Sequence, residues 1–409
     1  MHMQQVRIET DVIVIGGGIA GLWLTNALHK NGFQTLLLEE HQLGGIQTSR
    51  SQGIIHGGTK YALSGNLTKA SECIAGMPDR WRKCLNGTGE FDLSQVKVLS
   101  PHHYLWSTAG IGSKLTTFFA SKALRGRVTP LKPDNIPHVF RNPKFKGSVY
   151  QLNELVLDIP SLVDELVKPI RQQAIKVDWQ NTTQLLTNEQ HEITGIKLQY
   201  QDVEYLFTAK RYVFTSGEGT ASLMIKWGVN EPKQQTRPLH MVMVKHSHPN
   251  PLYAHCIGTS TVPRLTVSSH PTADGDWVWY LGGEIAETGV KRSASEQIEI
   301  AQKELKKLLP WIDFSEAQWA TLHVNRAEPK QLSYIRPDAA YCKPVHNGII
   351  CWPTKLALAP NLADEVIKLL NLDGITDSLT STTDQSHTQH LPNSLPLAPI
   401  APPFWEDFF

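Results

Sequence analysis

The sequence predicts an α/β fold: a Rossmann-like dinucleotide-binding domain into which an antiparallel-sheet domain of α+β character is inserted. Three observations carry this. Residues 10–40 run strand, glycine turn, helix, strand, acid. Residues 237–290 are short apolar runs separated by turns, the pattern of an antiparallel sheet. The chain then closes with a further strand at Gly348–Cys351 and a helix from about Pro360 to Leu370.

The first stretch is the most informative. Val12 to Ile15 is an apolar β-branched run, long enough for one buried parallel strand. Gly16, Gly18 and Gly21 follow as G-x-G-x-x-G. The first allows a tight turn, the second lets a pyrophosphate approach the backbone, and the third lets the helix lie close on the sheet. Leu22 to Lys30 continues as a helix whose N-terminal amides favour a diphosphate, and Gly32 stops it. Thr35 to Leu38 is the second strand, with Glu39 and Glu40 at its C-terminal end. A carboxylate at Glu39 accepts both hydroxyls of an adenosine ribose and repels a 2′-phosphate, which argues against NADP.

Further elements follow in order. Residues 80–150 read as short elements and loops. Leu155 to Gln173 reads as a helix, with Asp158 near its N-cap and Pro160 in its first turn. Residues 176–179 form a strand. A strand and hairpin lead to a buried strand, Tyr212–Thr215, which ends in the turn Ser216-Gly217-Glu218-Gly219. Ser293 to Leu309 is an amphipathic helix. The expected division is nucleotide domain 8–80, 151–235 and 326–371; inserted substrate domain 81–150 and 236–325; and a tail, 372–409. The tail is rich in Ser, Thr, Gln and Pro and ends in Phe404, Trp405, Phe408 and Phe409. Its first part should be flexible. Its aromatics either fold back onto an apolar groove of the same chain or meet a protein partner or a membrane surface.

Composition narrows the function. Lys plus Arg is 39 against 38 acids, so the basic excess of a nucleic-acid surface is missing. Five scattered cysteines without C-x-x-C pairing fit neither a disulfide framework nor a zinc site, and point to a reducing cytoplasm. No apolar run reaches the roughly 18 residues of a membrane span. No metal is expected: the His246-x-His248 pair sits beside Pro249-Asn250 and reads as a solvated loop.

Three separated segments, read with the first, resemble the FAD-dependent oxidoreductases of the D-amino-acid oxidase and glycerol-3-phosphate dehydrogenase superfamily. They are TSRSQGIIHGGTKY at 48–61, SGEG at 216–219, and RPDA at 336–339 with NGIICWPTKLALAP at 347–360. The resemblance covers residues 8–370. It implies FAD as cofactor, with the divided nucleotide domain binding it. It also implies that Ser49 and Arg50 lie at the diphosphate and ribityl, that His56-Gly57-Gly58 lies against the flavin, and that Val177 and Gly217 lie beside the nucleotide. Amides around Thr354, Lys355 and Leu356 would face the flavin pyrimidine end, where positive charge or amides stabilise the reduced cofactor; Lys355 could equally be a solvated lysine. Two departures bear on substrate. Trp352-Pro353-Thr354 replaces the glycines that usually precede the last helix. The residues after Lys355 also hold no phosphate-binding arginine, which argues against a phosphorylated substrate.

The implied activity is a FAD-dependent dehydrogenase or oxidase taking hydride from a small CH–OH or CH–NH donor to flavin N5. The alternatives are an amine or amino-acid oxidase of the same superfamily, or a flavoprotein subunit that binds a partner through its tail. The hydroxy branch is tilted forward by the H-G-G turn at 56–58 and the T-K-L helix start at 354–356. Oxygen, a quinone or a protein reoxidises the cofactor. His56 is a base, a flavin contact, a covalent attachment point or a packed histidine. Arg336 is the first choice to anchor a substrate carboxylate, with Arg326 and Arg264 as competitors. Tyr253 and His255 lie on substrate-sheet strands and complete the catalytic candidates, with Tyr280 beside them.

Overall fold

The computed structural model describes residues 4–58, 73–108, 128–258, 260, 262–330, 339–353, 355–375 and 391–409. The nucleotide sheet is built on the N-terminal strand Gln4–Ile15. It pairs in parallel with Thr35–Glu39 on one side and Val203–Phe214 on the other. Ala174–Lys176 extends the sheet beyond Thr35–Glu39, and Gly348–Trp352 pairs in parallel with Tyr212 to Phe214. All five carboxyl ends lie on one edge, where open parallel sheets bind their ligands.

Alternation of side chains sorts the N-terminal strand between two cores. Val12 and Val14 face the helices Ile19–Lys30, Ile159–Val167 and Ala359–Leu372. Ile13 and Ile15 face Leu223, Met224 and Trp227 of the helix Thr220–Trp227. Such two-sided burial explains the unbroken apolar run.

Expectation and structure differ in places. The N-terminal strand begins at Gln4, because the long strand Val203–Phe214 pairs with it along its whole length. Leu155–Leu157 is a strand, held by Ile54–Ile55 and Val98–Ser100. The helix therefore starts only at Ile159, where the Asp158 carboxylate accepts the Ser161 amide at 3.0 Å. His246 is not in a solvated loop. It ends the strand Gln234–His246 with its ring buried against Trp279 and Phe314.

Among the described residues the second sheet has eight strands, with Gln234–His246, Trp277–Gly282, Leu265–Pro271 and Ala254–Cys256 at its centre. His103–Ser107, Ser148–Leu152 and Val128–Pro130 extend one side, and Gln318–Pro329 closes the other. The helix Ala294–Leu308 begins on a capping box between Ser293 and Glu296 and packs Ala301, Leu305 and Leu308 into the core.

The chain end folds back on itself. Residues 376–390, most of the part expected to be flexible, lie outside the described residues. From residue 391 the chain runs beside Ala174–Lys176, where the Lys176 amide donates to Pro396 O and the Ala398 amide to Ala174 O. Leu43 is held on both sides, its amide on Pro399 O and its carbonyl by the Ala401 amide. Phe404 and Trp405 then bury themselves on the second sheet against Met241, Met243, Val278 and Tyr280. The own-chain groove is thus the one these two aromatics occupy. Among the described residues no helix is long and apolar enough to cross a membrane.

Under Trp405 lies His270, its ring 4.7 Å away and buried, its Nε2 3.0 Å from Ser268 Oγ. Desolvation pushes its pKa from 6.5 down to about 3. The neutral imidazole is the form that folds, whereas the unfolded chain takes up a proton below its ordinary value. Stability from this site is therefore full above about pH 6.5 and lost progressively as pH falls toward 3. The melting temperature should drop as pH falls from 7 to 4, with a smaller slope in His270→Phe. Equal slopes would mean that His270 does not carry the linkage.

Candidate active site

The site is set by two turns that touch. Gly16 follows the N-terminal strand at φ +108°, and a Cβ on it would come within 2.5 Å of Ser216 Cα in the turn after Val203–Phe214. Gly21 lies so close under this turn that a Cβ would fall 1.9 Å from Gly16 O. Gly18 differs: a Cβ there would meet only the Thr48 hydroxyl, at 3.3 Å. The space in front of Gly18 is thus open to a ligand. The Ile19 amide, first of the helix, donates to Thr48 Oγ at 2.9 Å. Glu39, buried, accepts the Gly17 and His41 amides at 2.6 Å each and keeps a second lone pair on each oxygen for ribose hydroxyls. Burial raises its pKa against the pull of those amides, His41 and Lys176.

From this turn one cavity runs to the second sheet. Gly16, Gly18, Glu39, Glu40, Arg50, His56, Gly217, Lys355 and Leu356 all line it. Other expected residues stand behind the wall. Gly21 packs as above, and Ser49 Oγ donates to Ile46 O. Gly57 donates its amide to Glu154, and Gly58 takes φ +77° beside it. The Val177 amide is bonded to Glu39 O, and Trp179 is the residue that lines the cavity at that end. Lys355 is buried rather than solvated. Thr354 and Arg336 lie outside the described residues.

At the far end the wall is Leu239, Met241, Thr266, Gly282, Val324 and Ala327, with Arg326 and Glu287. Arg326 Nη2 stands 3.8 Å from Glu287 Oε1. Arg264 instead forks onto Glu304 and is structural. Gln52 Nε2 donates to Tyr280 O at 2.9 Å, and the Tyr280 hydroxyl donates to Arg50 O at 3.1 Å, so the 48–56 segment is fastened to the second sheet.

His56 projects into the cavity with Nδ1 3.2 Å from Glu154 Oε2. His255 is stacked behind it at 6.1 Å, its own Nδ1 2.8 Å from Thr266 Oγ. Tyr253 sits beside this group rather than in the cavity, packed on Ile54 and Val156, and its hydroxyl pKa is driven up by burial and by Asp158. His56, Glu154 and His255 place their ligand-type atoms within 4.8 Å of one another.

The geometry adds Gln47, Thr48, Gln52, Glu154, Trp179 and Glu287 to the residues expected. Thr48 and Gln52 lie in the 48–61 segment already singled out, and Glu154 left its own mark: an acid inside the apolar run LNELVL is a charge placed for burial.

This arrangement agrees with what the chain is similar to. The model of the family described as FAD dependent oxidoreductase (DAO) matches residues 11–350. The chain belongs to this family. It is 47% identical over 403 residues to a probable FAD-dependent oxidoreductase of Pseudomonas aeruginosa, PA4991, covering 98% of this chain and 99% of that protein. The crystal structure of PA4991 superposes with a TM-score of 0.82, at 42% identity over 98% of this chain and 99% of that one. Glycine oxidase from Geobacillus kaustophilus shares the fold, at TM-score 0.64 and 14% identity, over 90% of this chain and 98% of that one. The protein is accordingly an oxidoreductase with FAD as cofactor. The residues present fit that group: the Gly18 opening and helix start suit its pyrophosphate, and Glu39 its ribose.

Gly18→Val tests the fit. The protein itself barely occupies the space a side chain would take, so the variant should fold with a near-normal melting temperature yet purify without visible flavin absorption. A yellow variant would place the pyrophosphate elsewhere.

Proposed function

We propose that this oxidoreductase dehydrogenates a small CH–NH or CH–OH donor bearing a carboxylate, with an amino acid or related amine the better match. The observation behind this is the pairing of Arg326 and Glu287 in the cavity wall, 3.8 Å apart, amid Leu239, Met241 and Val324. An α-amino acid carries both complementary charges. Its carboxylate suits the guanidinium fork and its amino group suits Glu287. A hydroxy acid satisfies Arg326 but leaves Glu287 only a hydroxyl. This reverses the tilt that the H-G-G turn gives.

When bound, FAD supplies the hydride acceptor; positioning and proton handling fall to the protein. Arg326 and Glu287 would fix the donor, Lys355 would offer positive charge to the reduced cofactor, and His56 would take the donor's proton. The apolar wall would exclude water from the reacting carbon.

Anaerobic bleaching of the flavin against panels of L- and D-amino acids and 2-hydroxy acids tests the class. Amino acids should bleach it fastest. Arg326→Ala should keep its flavin and raise the substrate's apparent dissociation constant by about 30- to 150-fold, the worth of a charged hydrogen bond of about 2–3 kcal/mol. Bleaching by hydroxy acids alone would remove the amino-acid reading, and unchanged binding in the variant would remove Arg326 as anchor.

A further inference from the structure

We infer that Glu154 is a positioning residue for His56: it holds the proton on Nδ1 so that Nε2 is the basic nitrogen presented at the cavity. The inference rests on the dehydrogenation proposed above. Glu154 lies in the turn between Ser148–Leu152 and Leu155–Leu157 and is 2% exposed. Each of its oxygens has a donor. Oε2 faces His56 Nδ1 at 3.2 Å, and Oε1 accepts the Gly57 amide at 3.0 Å. One carboxylate therefore grips both the ring and the backbone next to it, fixing the ring's orientation as well as its tautomer. Its own carbonyl accepts the His103 amide at 2.7 Å, which ties the turn to the second sheet.

The surroundings suit a carboxylate that stays ionised. Burial alone would raise its pKa, but the His56 hydrogen bond, the charges of His56 and His103 and the Gly57 amide together bring it down to about 2. The titratable groups packed around it are three imidazoles, His56 after Ile54–Ile55, His103 on His103–Ser107 and His255 on Ala254–Cys256, with the Tyr253 phenol beside them. The His103 and His255 rings lie 4.2 Å apart. No Lys or Arg is paired with this carboxylate among the described ion pairs; its donors are the His56 ring and the Gly57 amide. A buried carboxylate behind a histidine orients the ring and stabilises its cation, leaving the outer nitrogen to act.

The proton balance is simple. As the donor's carbon gives up hydride to the cofactor, its N–H or O–H proton passes to His56 Nε2, and the C=N or C=O double bond forms. The imidazolium is held by the Glu154 charge until its proton leaves through the cavity.

Nitrogen-15 histidine spectra of the FAD-loaded protein, assigned by difference with His56→Ala, provide a readout free of turnover. The neutral ring of His56 should be protonated at Nδ1. In Glu154→Gln, which keeps an acceptor for the Gly57 amide, its pKa should fall by roughly one unit or more, as loss of an adjacent opposite charge requires. With whichever substrate bleaches the flavin, the pH profile of bleaching should shift by the same amount. If Glu154→Gln does not hold FAD, the wild-type tautomer decides alone. An Nε2-protonated ring, or an unmoved pKa in a loaded variant, would overturn the inference. A shifted pKa with an unshifted bleaching profile would leave Glu154 in place and instead remove His56 as the proton acceptor.

Discussion

The structure depends on how closely two backbone turns approach at the carboxyl edge of the parallel sheet. Gly16 and Ser216 touch because the strands before them are paired in register up to Ile15 and Phe214. No side chain fits at Gly16, and none fits at Gly21 beneath it. That contact lets the helix begin directly behind the turn, with its first amide, Ile19, donating to the Thr48 hydroxyl. Remove it and the Gly18 opening, the seat of Glu39 and the head of the cavity lose their geometry together.

The second theme is the handling of buried charge. Glu39 and Glu154 are both carboxylates out of water, and each is satisfied by different means. Glu39 uses two backbone amides at one end of the cavity. Glu154, behind His56, uses one amide and an imidazole. A carboxylate held by neutral amides suits hydrogen bonding to a ribose, and one held by a titratable ring suits proton transfer. The tail contributes mechanically. By bracketing Leu43, whose side chain packs on Gly17, and capping the second sheet with Phe404 and Trp405, it links both lobes around the cavity.

The nucleotide half was legible because its constraints are local. The glycine spacing, the apolar strand and the acid at Glu39 lie within thirty-odd residues and each has one physical reading. The helix after Asp158 was legible from its cap and Pro160, but its start was misplaced: Leu155–Leu157 are held as a strand by partners far away in sequence, and periodicity cannot report such pairing. The substrate end was harder for the same reason. Arg326 and Glu287 come from a strand and a short helix that meet only in the folded sheet, so the sequence put Arg336 first, with Arg326 and Arg264 as competitors, and gave no sign of the pairing with Glu287. His246 misled because a histidine pair before Pro-Asn looks like a loop, whereas its ring fills a gap between aromatic neighbours.

Nucleotide site, Glu154–His56 pair and Arg326–Glu287 pair thus line or back a single cavity between the two sheets, and the central claim is that cofactor and substrate share it. A crystal structure of the protein with FAD and a small amino acid or unreactive carboxylate tests this most directly. The account predicts the pyrophosphate at Gly18, the ribose on Glu39, and the ligand carboxylate on Arg326, with its α-carbon against flavin N5. A flavin whose N5 is out of reach of a ligand held by Arg326 would contradict it.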